Sequence, residues 1–161
     1  MFRLLQGDVG SGKTIVALIS ALNVISSGYQ VVLMAPTEIL AKQHYNLSKR
    51  LFDKNIKIKI LTSKTELFDR KKILNDLISK KINFLIGTHS LFQDKLKYSN
   101  LGLIIVDEQH KFGVKQRKKL SDKGGVNCDV LVMSATPIPR TMIMTHFGDM
   151  DVSIIKNKPK N

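Results

Sequence analysis

Eight consecutive residues carry the strongest chemical signal in the chain: Gly7-Asp8-Val9-Gly10-Ser11-Gly12-Lys13-Thr14. They fit G-x-x-x-x-G-K-[ST], with an apolar run before them and an amphipathic run after them. Gly7, Gly10 and Gly12 allow a bend whose N–H groups face inward as an anion nest, to which Asp8, Val9 and Ser11 add their own amides. The helix expected next adds the positive end of its dipole. Lys13 can then reach the β- and γ-phosphates of a nucleotide, and the Thr14 hydroxyl can ligate Mg²⁺.

Two further constellations gain meaning from that loop. The run Leu103-Ile104-Ile105-Val106 ends in Asp107 and Glu108. Asp107, at the tip of an apolar strand, suits Mg²⁺ directly or through water, and Glu108 suits polarising an attacking water. Taken alone, such acids are often solvated turn residues. Ser134-Ala135-Thr136-Pro137 follows the run Val130–Met133. Its two hydroxyls can bond a neighbouring carboxylate or phosphate, or simply close a turn.

These residues need elements to position them. Apolar runs predict strands at Phe2–Leu5, Tyr29–Ala35, Phe84–Ile86, Leu101–Val106 and Val130–Met133, with a more exposed strand at Ile56–Leu61. Near-continuous apolar strands belong to parallel sheets. A helix is expected over Lys13–Ser27, with Ile15, Leu18, Ile19, Leu22 and Ile25 on its apolar side and Gly28 ending it. A second spans Glu38–Phe52, capped by Thr37, with Leu40, His44, Leu47 and Leu51 along one stripe. Ser63-x-x-Glu66 reads as a capping box opening a third helix to about Lys80. Short helices are expected near Lys115–Leu120 and Pro139–Phe147. The alternation predicts an α/β fold, an open, mostly parallel sheet with helices on both faces. Ligands in such folds bind beyond the carboxyl ends of the strands.

Composition bounds the alternatives. A chain of 161 residues, 43% hydrophobic, suits one globular domain. Lys and Arg number 26 against 13 acids, a net charge of +13 that favours an acidic partner such as nucleic acid. With 21 Lys and only five Arg, a solvated Lys-rich surface explains the charge equally well. Cys128 is the single cysteine, which excludes an internal disulfide and a cysteine-based zinc site. The histidines, His44, His89, His110 and His146, lack metal-ligand spacing. No apolar run approaches the roughly 20 residues of a membrane span, and no signal-peptide pattern is visible, so a cytoplasmic setting is expected.

The order of motifs, a P-loop, then Asp107-Glu108-Gln109-His110, then Ser134-Ala135-Thr136, resembles the superfamily 2 helicases and translocases. Leu4–Thr14, Met34–His44, Ile86–Leu91, Asp107–Arg117 and Met133–Met142 narrow the resemblance to the RecG branch-migration DNA helicases, over nearly the whole chain. The transcription-repair coupling factors share Phe112-Gly113-Val114 and Pro137–Thr141 but usually lack the histidine at 110. Lys111 stands where the family usually has Arg, and Ser134 where it often has Thr.

This resemblance implies a RecA-like P-loop NTPase domain using ATP and Mg²⁺, with branched or forked DNA as partner. Glu108, His110 and Lys13 would be catalytic, with His110 sensing the nucleotide state. Gln109, Ser134, Ala135 and Thr136 would couple two motor lobes. Pro36, Thr37, Gly87 and Thr88 match segments that touch the nucleic-acid backbone, which positions without reading sequence. The Lys-rich stretch Lys111–Lys123 is either a DNA-facing strip or a solvated helix. Against the family's length, residues 1–161 are expected to be the first RecA-like lobe only, truncated at both ends, with a separate chain as one source of the second lobe. Arg140 belongs to this lobe and does not replace a second-lobe arginine finger. Two alternatives stay open: a non-catalytic remnant with residual nucleotide or DNA affinity, and the equivalent lobe of a coupling factor.

Overall fold

Near-continuous apolar runs must be buried on both faces, and a central parallel sheet does this. The computed structural model describes residues 1–92, 96–107, 128–136 and 150–156. The strands are β1 (Phe2–Gly7), β2 (Gln30–Met34), β3 (Ile58–Leu61), β4 (Phe84–Gly87), β5 (Leu101–Val106), β6 (Asp129–Ser134) and β7 (Asp151–Ile155). Between them run α1 (Lys13–Ser26), α2 (Glu38–Leu51), α3 (Leu67–Ile78) and a 3-10 turn at His89–Phe92. The strand order is β3-β4-β2-β5-β6-β1-β7, and every pairing is parallel. The expected fold class is the observed one. The short helices expected near Lys115–Leu120 and Pro139–Phe147 lie outside the described residues.

Alternate strand residues build two cores. Val31, Leu33, Ile86, Leu103, Ile105 and Leu131 pack with Ala17, Leu18 and Ala21 of α1 and Ala41 of α2. On the opposite face Val32, Met34, Leu85, Ile104, Val106 and Val132 pack with Ile73 and Leu77 of α3. The strands between the two edges, β4, β2, β5, β6 and β1, therefore spend their period-two alternation on two apolar layers rather than on one layer and water.

The helices differ from expectation in which stripe is buried. In α1 the inward face is Ala17, Leu18 and Ala21, while Ile15 (43%) and Ile19 (55%) are exposed. Small side chains let the helix lie close to the sheet, and apolarity alone did not select the face. In α2 the buried residues are Ala41, His44 and Ser48, and Leu51 is exposed. Thr37 caps α2 as expected, its Oγ1 accepting from Leu40 N at 3.3 Å. The capping box at Ser63 does not form. Helix α3 starts at Leu67 with no side-chain cap, and Ser63 Oγ donates instead to Glu38 Oε1 at 2.6 Å. Strand β7 was not expected. It is a five-residue edge strand, half exposed, and its weak apolar signal is what an edge requires.

Gly87 closes β4 because no side chain fits there. A Cβ would run into the Leu61 carbonyl oxygen of β3 and meet Leu91 side-chain atoms at 3.0 Å. Gly87→Ala is expected to destabilise the lobe by about 1–3 kcal/mol, the usual cost of overpacking. Urea denaturation checks this, and an unchanged midpoint would contradict it.

Candidate functional site

Parallel strands place all their carboxyl ends on one edge of the sheet. There the phosphate loop after β1, Ser134 at the end of β6 and Asp107 just beyond β5 come from three adjacent strands, in the order β5-β6-β1.

The loop has the bend its glycines predicted. Gly10 and Gly12 adopt φ of 80° and 92°, values that strain any other residue. Gly7 is required for space: a Cβ there would sit 2.7 Å from Ser11 Oγ and 3.2 Å from Ile155 Cβ. Ser11 N donates to Asp8 O at 3.1 Å. Ser11 Oγ is buried without a hydrogen-bond partner among the described residues. Val9 is exposed at the loop tip. Gly12 is the N-cap of α1, and among the described residues no side chain caps that helix end. Lys13 Nζ donates to Gly7 O at 2.6 Å and Asp8 O at 2.8 Å, drawing the cation across the loop. Thr14, in the first turn of α1, is half-buried.

Asp107 is anchored twice. Its N–H donates to Met34 O at the end of β2, 2.9 Å away. Its Oδ2 lies 2.7 Å from His44 Nε2, with side-chain exposures of 13% and 7%. Sequence reasoning placed His44 on the α2 stripe and gave it no role. The available signal was a polar residue at an inward position, which demands a buried partner.

The loop after β6 is closed by its own hydroxyls. Ser134 is buried, and its Oγ donates to Thr136 O at 3.1 Å and lies 3.2 Å from Thr136 Oγ1. Ala135 lies between them, half-buried. Gln6, also unassigned from sequence, reaches across from β1, its Nε2 donating to Thr136 O at 3.1 Å. The bond ties the strand entering the phosphate loop to the Ser134–Thr136 turn.

Four residues expected near nucleic acid lie at the same edge. Thr37 is exposed and Pro36 half-buried, in the short connection from β2 to α2. Gly87 and Thr88 are buried; Gly87 O accepts from Ala35 N at 2.8 Å, and Thr88 O accepts from Leu91 N at 3.0 Å. Beside Thr37, the Ser63 hydroxyl bond, helped by Lys64, holds the Glu38 carboxyl below its usual range. Glu108, Gln109 and His110 lie outside the described residues. Cys128 is half-buried, and burial together with Asp129 pushes its thiol up to about 11, away from thiolate chemistry. Among the described residues no helix is long and apolar enough to cross a membrane.

Comparison with known proteins agrees with this geometry. The family description "DEAD/DEAH box helicase" matches residues 3–145. The ATP-dependent DNA helicase RecG of Bacillus subtilis is 54% identical over 160 residues, and that of Streptococcus pneumoniae is 52% identical over 159. Each alignment covers 99% of this chain, which spans 23% of each relative's length. A RecG structure bound to a three-way DNA junction superposes with a TM-score of 0.83 at 43% identity, covering 99% of this chain and 21% of that one. A DEAD box protein from Methanococcus jannaschii shares the fold, with a TM-score of 0.75 at 23% identity over 97% of this chain and 46% of its own. The expected RecG resemblance is borne out across the P-loop, the Asp107 strand and the Ser134 turn together, and this chain belongs to the DEAD/DEAH box helicases.

Proposed function

We propose that residues 1–161 form the first, ATP-binding RecA-like motor lobe of a RecG-like ATP-dependent DNA helicase. It would act on branched DNA in recombination and replication-fork repair, in the cytoplasm. The observation that carries this reading is the meeting of three motifs on adjacent strands at one edge of the sheet, with Gln6 bonded across to Thr136.

The site suits Mg·ATP. The uncapped start of α1, the two positive-φ glycines and Lys13 make a phosphate cradle. Lys13 would exchange its two carbonyl partners for phosphate oxygens. Mg²⁺ uses one or two carboxylates together with substrate phosphates, not an all-protein cage. Asp107 and Thr14 are the donors that would hold the metal. The metal would neutralise charge on the phosphates. Glu108 would orient the attacking water, and His110 and Gln109, with the Ser134–Thr136 turn, would pass the nucleotide state to a second lobe. That lobe would come from a longer chain or a separate one. Thr37 and Pro36, with the backbone at Gly87 and Thr88, would meet DNA phosphates.

The test is a titration of the purified 161-residue chain with fluorescent ATP, with and without Mg²⁺, and with labelled three-way junction DNA at several salt concentrations. Nucleotide binding should require Mg²⁺ for full affinity, and DNA binding should weaken steeply with salt. Hydrolysis should be very slow, because an arginine finger is worth roughly 10³–10⁵ in rate in related P-loop enzymes. A folded chain that binds no nucleotide at millimolar concentration would refute the reading.

A further inference from the structure

Asp107 is gripped by two consecutive elements of the chain. Its backbone is tied to Met34, which ends β2, and its carboxylate to His44 of α2, the helix that follows. A carboxylate accepts hydrogen bonds and an imidazole N–H can supply one, so His44 Nε2 is placed to donate to Asp107 Oδ2. The bond engages Oδ2 alone. The turn carrying the imidazole is itself pinned, because Ser48 Oγ donates to His44 O at 2.7 Å. Ala41 and Ser48 flank His44 on the buried face of α2, and both are small and fully buried. They bring the helix in close enough for the ring to reach the end of β5.

We propose that His44 is a positioning residue for the metal-binding carboxylate: it fixes the Asp107 side chain through Oδ2 and leaves Oδ1 to the Mg²⁺ of a bound nucleotide. The proposal rests on the reading of this chain as an ATP-binding lobe. In this role His44 acts through Asp107 and would not itself ligate the metal. Its effect is to remove the rotameric freedom that Asp107 would otherwise lose only on binding the metal. Losing such an orienting partner usually costs 10–100-fold in metal affinity. A histidine that merely filled the core would be replaceable by Leu with no change in metal binding.

The experiment measures Mn²⁺·ATP affinity by electron paramagnetic resonance, and ATP affinity in EDTA, for the 161-residue chain and for His44→Leu, His44→Asn and His44→Gln. His44→Leu and His44→Asn, whose amide is too short to reach, should weaken Mn²⁺·ATP binding about tenfold or more, while metal-free ATP binding stays within about twofold. His44→Gln, which keeps an N–H donor at longer reach, should restore part of the loss. Equal Mn²⁺·ATP affinity in the folded variants would overturn the proposal. So would a parallel loss with and without metal, or loss of the circular dichroism of the fold in all three, since each assigns His44 to architecture. Failure of the wild-type chain to bind Mn²⁺·ATP is a different result: it refutes the ATP-binding reading and takes this inference with it.

Discussion

Gln30→Leu is expected to lower the unfolding free energy by about 3–5 kcal/mol, the largest single-residue stability effect among these predictions. Gln30 begins β2 and is only 3% exposed. Its Nε2 donates to Leu77 O and Ile82 O, both at 2.9 Å. Its Oε1 accepts from Ser99 N at 2.9 Å and Asn100 N at 3.1 Å. The amide thus makes all four bonds it is able to make. It joins the end of α3 and the entry to β4 to the entry to β5. Leucine fits the volume but strands the Ile82 carbonyl and two N–H groups and leaves Leu77 O with Lys80 N alone, and each net hydrogen bond is worth roughly 0.5–1.5 kcal/mol, more when a buried partner is left unpaired. Gln30→Glu should do no better, because a carboxylate would face two carbonyl oxygens. Thermal unfolding should show a drop of about 2–4 °C for each kcal/mol lost. A Gln30→Leu chain within about 1 kcal/mol of wild type would mean that water replaces these bonds without cost.

Lys13→Ala is expected to weaken Mg·ATP binding at least about 100-fold, equivalent to about 2.7 kcal/mol, while leaving the fold intact. The two partners of Nζ are loop carbonyls close to solvent, so their loss should change stability by less than about 1 kcal/mol. The nucleotide triphosphate, in contrast, would lose the one cation that the loop sequence itself supplies. Lys13→Arg should recover little, because a planar guanidinium does not match the space of a compact ammonium drawn over the loop. Isothermal titration beside thermal unfolding separates the two effects. Binding retained within about tenfold would show that the amides of the loop and the start of α1 hold the phosphates without Lys13.

The fold was legible where a residue's local job and its tertiary job agree. Val31–Met34 and Leu101–Val106 are apolar on both faces, and both became central strands. Thr37 and Gly28 punctuate helices by local backbone chemistry, so the cap and the turn (Gly28 φ 84°) appear as expected. Helix faces were less legible, because Ile15 and Ala17 compete for the inward direction and close packing against the sheet favours the smaller residue. The capping box did not form because α3 begins only at Leu67, while the Ser63 hydroxyl is turned to Glu38, a residue 25 positions earlier. In the site, the phosphate loop and Asp107 were readable as motifs. His44 and Gln6 were not, because their roles lie in long-range pairs, 63 and 130 positions apart, that no local pattern encodes.

The place of β1 in the sheet has a consequence for how the lobe is born. Of the seven strands β1 is made first, yet both its neighbours, β6 and β7, are made last. Among the described residues, strands β2, β3, β4 and β5 pair among themselves and with β6, so they can zip together while synthesis continues. Through that time β1 and the glycine loop at its end have no ladder to join. Contacts of such long sequence separation are slow to form, and unpaired strands are exposed to wrong partners until they do. The glycine loop after β1 is therefore expected to take shape late. In a refolding experiment, nucleotide binding should lag behind the recovery of helix signal and mark the docking of β1.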